Sequence, residues 1–168
     1  QLREVLRKPG MLVAPGGYDG ISARLIERAG FHAAYMTGAG TSMAKGYPDY
    51  GLLTMSEMVE NAAVIARSIT IPLISDADTG YGNELNVTRT VREYEARGVA
   101  GIHIEDQGFP KKCGHLDDKE IVPRADWLAK ISAAAAARRT ADFAVIARTD
   151  SRAGAGFDEA VARGNAAL

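Results

Sequence analysis

The stretch Gly101-Ile102-His103-Ile104-Glu105-Asp106 is a short apolar run that ends in two acids, and it sets the pattern for the whole chain. Two other runs have the same form. Residues 71–75 lead into Asp76-Ala77-Asp78, and residues 143–147 lead into Arg148-Thr149-Asp150. Apolar runs without polar alternation are typical of strands in a parallel sheet that is covered on both faces. The pattern therefore predicts an α/β protein.

Two further strands are predicted earlier in the chain, at residues 11–14 and 33–36, which gives about five strands in all. Helical patterns separate them. Asp19 is a candidate cap for a helix whose apolar face is Ile21, Leu25, Ile26 and Ala29, with Gly30 as its end. Thr54 and Glu57 have the spacing of a capping box. Other helices are predicted over residues 2–8, 83–97 and 123–139, and from Phe157 onward.

Polar residues follow the carboxyl end of most of these strands, where parallel α/β folds place their functional sites. A (β/α)8 barrel, the TIM barrel, and a doubly wound sheet both do so. No Gly-x-Gly-x-x-Gly motif opens the first helix, which argues against a dinucleotide site. The prediction is a single domain, residues 1–168, formed by about the first five strand–helix units of a (β/α)8 barrel.

Composition narrows the functional classes. Twenty Lys and Arg residues against 21 Asp and Glu residues give a net charge of −1, so no basic excess points to nucleic acid. Charged residues interrupt every apolar stretch before it could span a bilayer. The chain has one cysteine, which excludes an intramolecular disulfide and fits a reducing compartment. The first residues lack the apolar segment of a secretory signal. We expect a soluble, cytoplasmic protein.

The loop Lys111-Lys112-Cys113-Gly114-His115 contains that single cysteine. A thiol beside cationic groups can hold or give a proton near neutral pH, so the loop is a candidate for acid–base chemistry. A surface loop with an incidental thiol is the alternative.

Asp76 and Asp78 lie two residues apart at a predicted strand end, and in extended chain their side chains would point the same way. Adjacent carboxylates repel unless a cation lies between them, and oxygen ligands favour Mg²⁺ or Mn²⁺. Asp49 and Glu105 are candidates to join them. The alternative is helix capping and turn formation around nearby glycines. His103 is interpreted as a core residue, and Tyr35 as either a core or a site residue.

Together these segments resemble the isocitrate lyase/phosphoenolpyruvate mutase superfamily. The matching segments occur in the family's order over nearly the whole chain, at residues 15–19, 35–38, 47–51, 76–82, 103–107, 111–115 and 147–150. The cysteine loop resembles the lyase branch, because the phosphonate-forming mutases lack that cysteine. Its continuation, residues 116–120, is most similar to methylisocitrate and 2,3-dimethylmalate lyases.

The resemblance implies a role for each matching residue. Asp78 would bind Mg²⁺ directly, and Asp76, Asp49 and Glu105 would reach the ion mostly through water. A substrate carboxylate would be bound by the backbone of Thr37, Gly38 and Ala39, where the family usually has Ser-Gly-Gly, and by Arg148. Cys113 would be the general acid and Tyr35 a candidate base. The loop over residues 107–122 would close as a lid, on which Gly114 and His115 would contact the substrate and Lys111 and His115 would take part in catalysis. Asp76 would also contact the substrate.

The resemblance also implies the reaction. A 2-hydroxy di- or tricarboxylate would be cleaved between C2 and C3 to a 2-oxo acid and a carboxylate enolate, which Cys113 would protonate. Oxaloacetate decarboxylation or hydrolysis, or phosphonate-type mutase chemistry, are alternatives within the superfamily. A catalytically incomplete half-barrel that binds only metal, oxo acid or a protein partner is another.

The family's barrel has eight units and the full-length family forms homo-tetramers. A chain with five units is therefore expected to be a fragment or to be completed from elsewhere, and a homo-oligomer is expected.

Overall fold

A five-stranded parallel sheet forms the centre of the fold, in a computed structural model that describes residues 2–168; Gln1, the first residue of the predicted domain, lies outside the described residues. The strands are β1 (Gly16–Gly17), β2 (Ala34–Met36), β3 (Leu73–Asp76), β4 (Gly101–Glu105) and β5 (Ala144–Arg148). Each strand pairs with the next one in sequence, in the order β1-β2-β3-β4-β5. A doubly wound sheet reverses its strand order, whereas a barrel wall does not. The predicted parallel α/β fold of barrel type is confirmed.

Eight helices accompany the strands within residues 2–168. They are α1 (Leu2–Leu6), α2 (Gly20–Arg28), α3 (Gly38–Ala44), α4 (Met55–Ala66), α5 (Glu84–Ala96), α6 (Arg124–Ala137), α7 (Ser151–Ala155) and α8 (Phe157–Ala166). None of these helices combines the length and the apolar character that crossing a membrane requires.

Side-chain caps fix the starts of the helices that follow β1, β2 and β3. Asp19 accepts a hydrogen bond from the Ser22 amide at 2.7 Å, and Thr54 forms the predicted capping box with Glu57. Asn83 caps α5. These caps satisfy amide groups that have no partner inside the helix, so they set where each helix starts and where the preceding loop ends.

The core lies between the sheet and the helices that cover it. The apolar side of α4 is buried at Met58, Val59, Ala62 and Ile65. Large side chains from β4, α5 and α6 complete the core: Ile102, Ile104, Tyr94 and Trp127. Because β3 and β4 are packed into this core, it fixes the positions of the polar residues at their carboxyl ends.

The first strand was predicted four residues too early. Residues 11–14 form no strand, and pairing with β2 is confined to Gly16 and Gly17. Met11 is largely exposed, because no neighbour within the described residues packs on that side. The predicted face of α2 was also wrong in part. Ile21 and Leu25 are 73% and 61% exposed, while Ala23 and Ile26 pack inward.

Two short helices were missed. No helix was predicted after residues 33–36, but Thr37 caps α3 there by accepting a hydrogen bond from the Gly40 amide. Helix α7 follows β5 directly. Both consist mostly of Gly, Ala and Ser residues, so they carry no apolar periodicity that would have predicted a helix.

Candidate active site

The carboxylate of Asp76 is bonded to several groups at the carboxyl edge of the sheet. It accepts hydrogen bonds from the amides of Gly38, at 3.1 Å, and Asp78, at 2.9 Å, and lies 2.9 Å from Nε2 of His103. Burial opposes its ionisation, but His103 and then Lys111 outweigh burial and lower the pKa of Asp76 below its usual range. Asp76 is therefore a fixed negative charge in the site.

Asp78 does not point alongside Asp76, as extended chain would require. Its backbone has a φ of 46°, in the left-handed region, and this turns its side chain toward Lys111. Burial, reinforced by the neighbouring charge of Asp76, raises the pKa of Asp78 to about 6. The geometric prediction for this pair was wrong because a turn at residues 77–80 follows the strand directly.

The Lys111 ammonium group lies between two of the predicted metal-binding acids. Its Nζ atom is 2.5 Å from Oδ1 of Asp49 and 3.0 Å from Oδ1 of Asp78. That Asp78 oxygen is buried, and its ion pair with Lys111 lacks the alignment of a full hydrogen bond. Burial favours the neutral amine, but the charges of Asp78 and then Asp76 outweigh it and raise the pKa of Lys111 above its ordinary value.

The residues fit a hard cation in this position. Two buried carboxylates, Asp49 and Asp78, already face one positive charge, and all-oxygen donors are those that Mg²⁺ and Mn²⁺ prefer. Within residues 2–168, however, no three His, Cys, Asp or Glu side chains are close enough together to form a metal-binding cluster. The arrangement with Lys111 between the acids thus differs from the four-acid ligand set that the resemblance implies.

Glu105 belongs to a second charge group beside the first. Its Oε2 atom lies 3.1 Å from Arg148, which also contacts Asp150 at 3.2 Å. Burial raises the pKa of Glu105 to about 8, although Arg148 acts in the opposite direction. The Arg148 side chain is 32% exposed, so part of its guanidinium group remains accessible to a carboxylate ligand.

Tyr35 on β2 and His103 on β4 extend over the intervening β3 into the same network. The Tyr35 hydroxyl lies 3.1 Å from Nδ1 of His103, and the two rings are stacked with centroids 5.6 Å apart. Burial, together with the charge of Asp76, raises the pKa of Tyr35. His103 is buried as predicted, but it links Tyr35 to Asp76 in the site and does not simply fill the core.

The predicted carboxylate-binding backbone lies at the start of α3. Thr37 caps that helix, and the Gly38 amide donates to Asp76. A Cβ atom at Gly38 would collide with the Asp76 carboxylate, so glycine is required there for this close approach. Ala39 follows within the helix. These residues are adjacent to Asp76, so the structure brings them into the same site.

The cysteine loop is folded over these groups. Cys113 is half-buried, with its Sγ atom 3.7 Å from Nδ1 of the exposed His115. A Cβ atom at Gly114 would clash with the Arg148 guanidinium group, which shows how closely the loop approaches Arg148. Lys119 donates to the carbonyl oxygens of Gly114 and Leu116 and holds the loop's own turn together.

Sequence reasoning missed the contribution of two further residues. Gln107 is buried and contacts both Glu105 and Asp150, and Asp150 contacts Arg148. Their only signal in the sequence was position, since each follows a strand end by two residues. Glutamine carries no catalytic signature of its own, and Asp150 was one of several acids that follow a strand, so only the folded chain shows what they touch.

Comparison with known proteins finds a matching family and several similar proteins of known function for this chain. The sequence profile of the family described as phosphoenolpyruvate phosphomutase matches residues 2–168. A 2,3-dimethylmalate lyase from Eubacterium barkeri is 52% identical over 165 residues, which are 98% of this chain and 57% of that protein. A 2-methylisocitrate lyase from Aeropyrum pernix is 48% identical over 96% of this chain and 52% of its own length. The chain thus spans about half the length of the curated relatives it matches.

Solved structures agree with this result. Oxaloacetate acetylhydrolase in complex with the inhibitor 3,3-difluorooxalacetate superposes with a TM-score of 0.95 at 45% identity, over 99% of this chain and 58% of the other. Phosphonopyruvate hydrolase in complex with oxalate and Mg²⁺ superposes with a TM-score of 0.91 at 40% identity, over 99% and 57% of the two chains. At these identities the likeness extends beyond the fold.

Proposed function

The chain belongs to the phosphoenolpyruvate mutase/isocitrate lyase superfamily, and we propose that it carries the metal- and cysteine-bearing part of a carbon–carbon lyase. The proposed substrate is a 2-hydroxy di- or tricarboxylate of the dimethylmalate or methylisocitrate type. The observation that carries the proposal is the closure of the cysteine loop over a site that holds buried acids and an accessible arginine.

Asp49 and Asp78 would hold the Mg²⁺ ion, with Asp76 and Glu105 reaching it through water. The metal would polarise the substrate's 2-hydroxyl and carboxylate oxygens and stabilise negative charge there. Arg148 would bind a substrate carboxylate with the part of its guanidinium group that remains exposed. The Thr37 and Gly38 amides already donate to Gly17 and Asp76, so the Ala39 amide is the one that would orient the same end of the substrate.

Tyr35 would receive the hydroxyl proton by passing its own proton on. Because its pKa is raised, Tyr35 does not lose a proton to solvent at neutral pH. Its hydroxyl lies within reach of Nδ1 of His103, and His103 contacts Asp76 through its other nitrogen. A proton could therefore move from Tyr35 to His103, where the fixed charge of Asp76 would stabilise it.

Cys113 would complete the reaction. As the C2–C3 bond breaks, its electron pair stays with C3 to form an enolate, and C2 becomes the carbonyl carbon of a 2-oxo acid. Cys113 would donate its proton to C3, leaving a thiolate that His115, 3.7 Å away, is placed to stabilise. The lid over residues 107–122 would exclude water from the enolate.

The test is cleavage of racemic 2,3-dimethylmalate and 2-methylisocitrate by the full 168-residue chain with Mg²⁺, followed by NMR detection of the 2-oxo acid and the carboxylate product. We expect turnover with Mg²⁺ and at least about a hundredfold loss in Cys113→Ser, with binding of 2-oxo acid retained, because a proton donor acts mainly in the transition state. Turnover that is unchanged in Cys113→Ser would contradict the role of the thiol.

Oxaloacetate hydrolysis is a second candidate, supported by the structural likeness to oxaloacetate acetylhydrolase. It would use the same metal and arginine groups, but its products are oxalate and acetate. Release of oxalate from oxaloacetate without cleavage of either 2-hydroxy acid would favour this second candidate over the first.

A further inference from the structure

Gln107 is a buried amide that joins the cysteine loop to the acids beneath it. Its side-chain NH2 group shares two protons among three acceptors: Oε1 of Glu105 at 3.0 Å, the carbonyl oxygen of Lys112 at 2.9 Å and Oδ2 of Asp150 at 3.2 Å. Its side-chain oxygen accepts from the Lys112 amide at 3.0 Å. The residue is 2% exposed, so these contacts are made away from bulk water.

The surroundings fix the orientation of this amide. The nitrogen faces three acceptors and the oxygen faces one donor, so a flipped amide would oppose like groups at all four contacts. The Gln107 side chain therefore donates to the Lys112 carbonyl oxygen and accepts from the Lys112 amide, as the backbone of a neighbouring strand would do. Buried amides held in this way are costly to release, because each group left unpaired pays its desolvation cost.

The residue that Gln107 holds lies between the two functional parts of the loop. Lys111, on one side of Lys112, faces Asp49 and Asp78. Cys113, on the other side, leads to the contact between Gly114 and Arg148. Fixing the backbone of Lys112 therefore sets the positions of both neighbours relative to the acids.

Other contacts at the base of the loop do not serve this purpose. The Gly108 amide donates to the carbonyl oxygen of Glu120 at 2.7 Å, and the Val122 amide donates to that of Asp106 at 2.9 Å. These bonds join the two ends of the loop to each other and to the end of β4, and they do not contact the Lys111–Cys113 segment, whose other tie to the acids is the side chain of Lys111. Among the described side chains, Gln107 alone binds the backbone of Lys112 from below.

We propose that Gln107 is a positioning residue that holds the Lys111–Cys113 segment in its closed position over the acids. The inference deepens the proposed lyase function, on which its catalytic consequence rests. The closed position itself is a property of the loop that is measurable without substrate or metal.

The single cysteine makes alkylation a specific reporter of this position. The rate of Cys113 alkylation by iodoacetamide, a neutral reagent, is measured by mass spectrometry on the full chain. Gln107→Met keeps the length of the side chain and removes all four hydrogen bonds. Gln107→Glu keeps the shape but replaces the donor with a carboxylate that faces Glu105 and Asp150. We expect both variants to raise the alkylation rate at least about fivefold, since each loses several buried hydrogen bonds.

A matched control variant distinguishes opening of the cysteine loop from a general loss of stability of the chain. Asn61 is also a side-chain amide that joins separate segments, through the Tyr18 carbonyl oxygen and the Thr41 hydroxyl group, and it lies outside the loop. We expect Asn61→Ala to lower thermal stability and to leave Cys113 alkylation unchanged. Equal acceleration in this control and in the Gln107 variants would overturn the proposal, because it would show that global stability sets the rate.

Hydrogen exchange on the unmodified chain tests the same contact without a substitution. The Lys112 amide donates to Gln107 and is expected to exchange at least about tenfold more slowly than the exposed amides of residues 117 and 118. Equal exchange rates would overturn the proposal even if both Gln107 variants failed to fold.

Kinetic measurements then distinguish a failure of this inference from a failure of the proposed function. In an active chain at saturating Mg²⁺, Gln107→Met should lower kcat about tenfold or more, because misplaced groups lose transition-state contacts first. If the native chain shows no lyase activity but alkylation responds as expected, the proposed reaction fails and the positioning role stands. Native alkylation rates in both Gln107 variants, with lyase activity present, would refute the positioning role alone.

Discussion

Asp78 is the residue on which the proposed cation site depends most. Its left-handed backbone turns it away from Asp76, and its buried oxygen faces only the charge of Lys111. We predict that Asp78→Asn weakens Mg²⁺ binding at least about tenfold by calorimetry, since a neutral amide is a poorer ligand for a hard cation. Asp142→Asn makes the same change in net charge at an exposed position and should leave the affinity unchanged. Equal affinities in the two variants would refute the metal assignment.

Lys111 supplies the second prediction at this scale, because its ammonium group occupies the space between the acids. Lys111→Met should lower the melting temperature in metal-free buffer, since it leaves the buried carboxylates of Asp49 and Asp78 without a positive partner. Mg²⁺ should then raise the melting temperature of this variant by more than it raises that of the native chain. Thermal unfolding with and without Mg²⁺ measures both effects. A smaller Mg²⁺-induced increase in the variant would show that Lys111 supports the metal and does not compete with it.

The residue types in the sequence predicted which residues belong to the site better than they predicted which groups those residues contact. Asp76, Glu105 and Arg148 were found because charged residues directly after apolar strands are conspicuous in a sequence. The turn at Asp78 and the bonds of Gln107 were not found, because they depend on a left-handed residue and on a loop that folds back on the sheet. Neither leaves a periodic pattern. The roles assigned to these residues remain predictions that the proposed variants test.

At the scale of elements, the helix caps show which local sequence signals are sufficient to predict where a helix begins. Thr54 and Glu57 cap α4 reciprocally on an exposed surface, so their contribution can be measured with little interference from packing. We predict that Thr54→Ala lowers the free energy of unfolding by about 1 kcal/mol. Thr88→Ala, within α5, should change it by less than about 0.5 kcal/mol, because the Thr88 hydroxyl only bonds back to the Glu84 carbonyl oxygen. Urea unfolding at one fixed protein concentration measures both; equal losses would mean that the cap adds nothing specific.

Elements whose position depends on a distant partner were the ones predicted poorly. Strand β1 is short because only Gly16 and Gly17 align with β2, and no rule based on the sequence near residue 13 contains that information. The wrong prediction for the inner face of α2 has the same cause. Ile21 and Leu25 would face inward only if another element packed beside β1, and the described residues provide none. By contrast, α4 and β4 lie in the middle of the order, have neighbours on both sides and match their predicted patterns.

At the scale of the whole molecule, both edges of the sheet determine how the 168-residue chain behaves in solution. Strands β1 and β5 each pair on one side only, so each presents backbone groups that another strand could bind. Exposed apolar side chains lie beside these edges, at Ile21 and Leu25 on one side and Phe157 on the other. Covering such surfaces lowers the free energy of the chain, so we predict that it associates with itself at micromolar concentration.

Analytical ultracentrifugation of the chain and of two lysine variants tests this prediction. Leu25→Lys places a charge beside β1 and should shift the distribution toward monomer, because burying an unpaired ammonium group at the contact is costly. Leu85→Lys places the same charge on α5, which packs between α4 and α6 away from both edges, and should leave the distribution unchanged although Leu85 is also exposed. A native chain that sediments as one monomeric species and unfolds cooperatively would contradict the prediction. It would mean that five strands reach a stable arrangement without a partner.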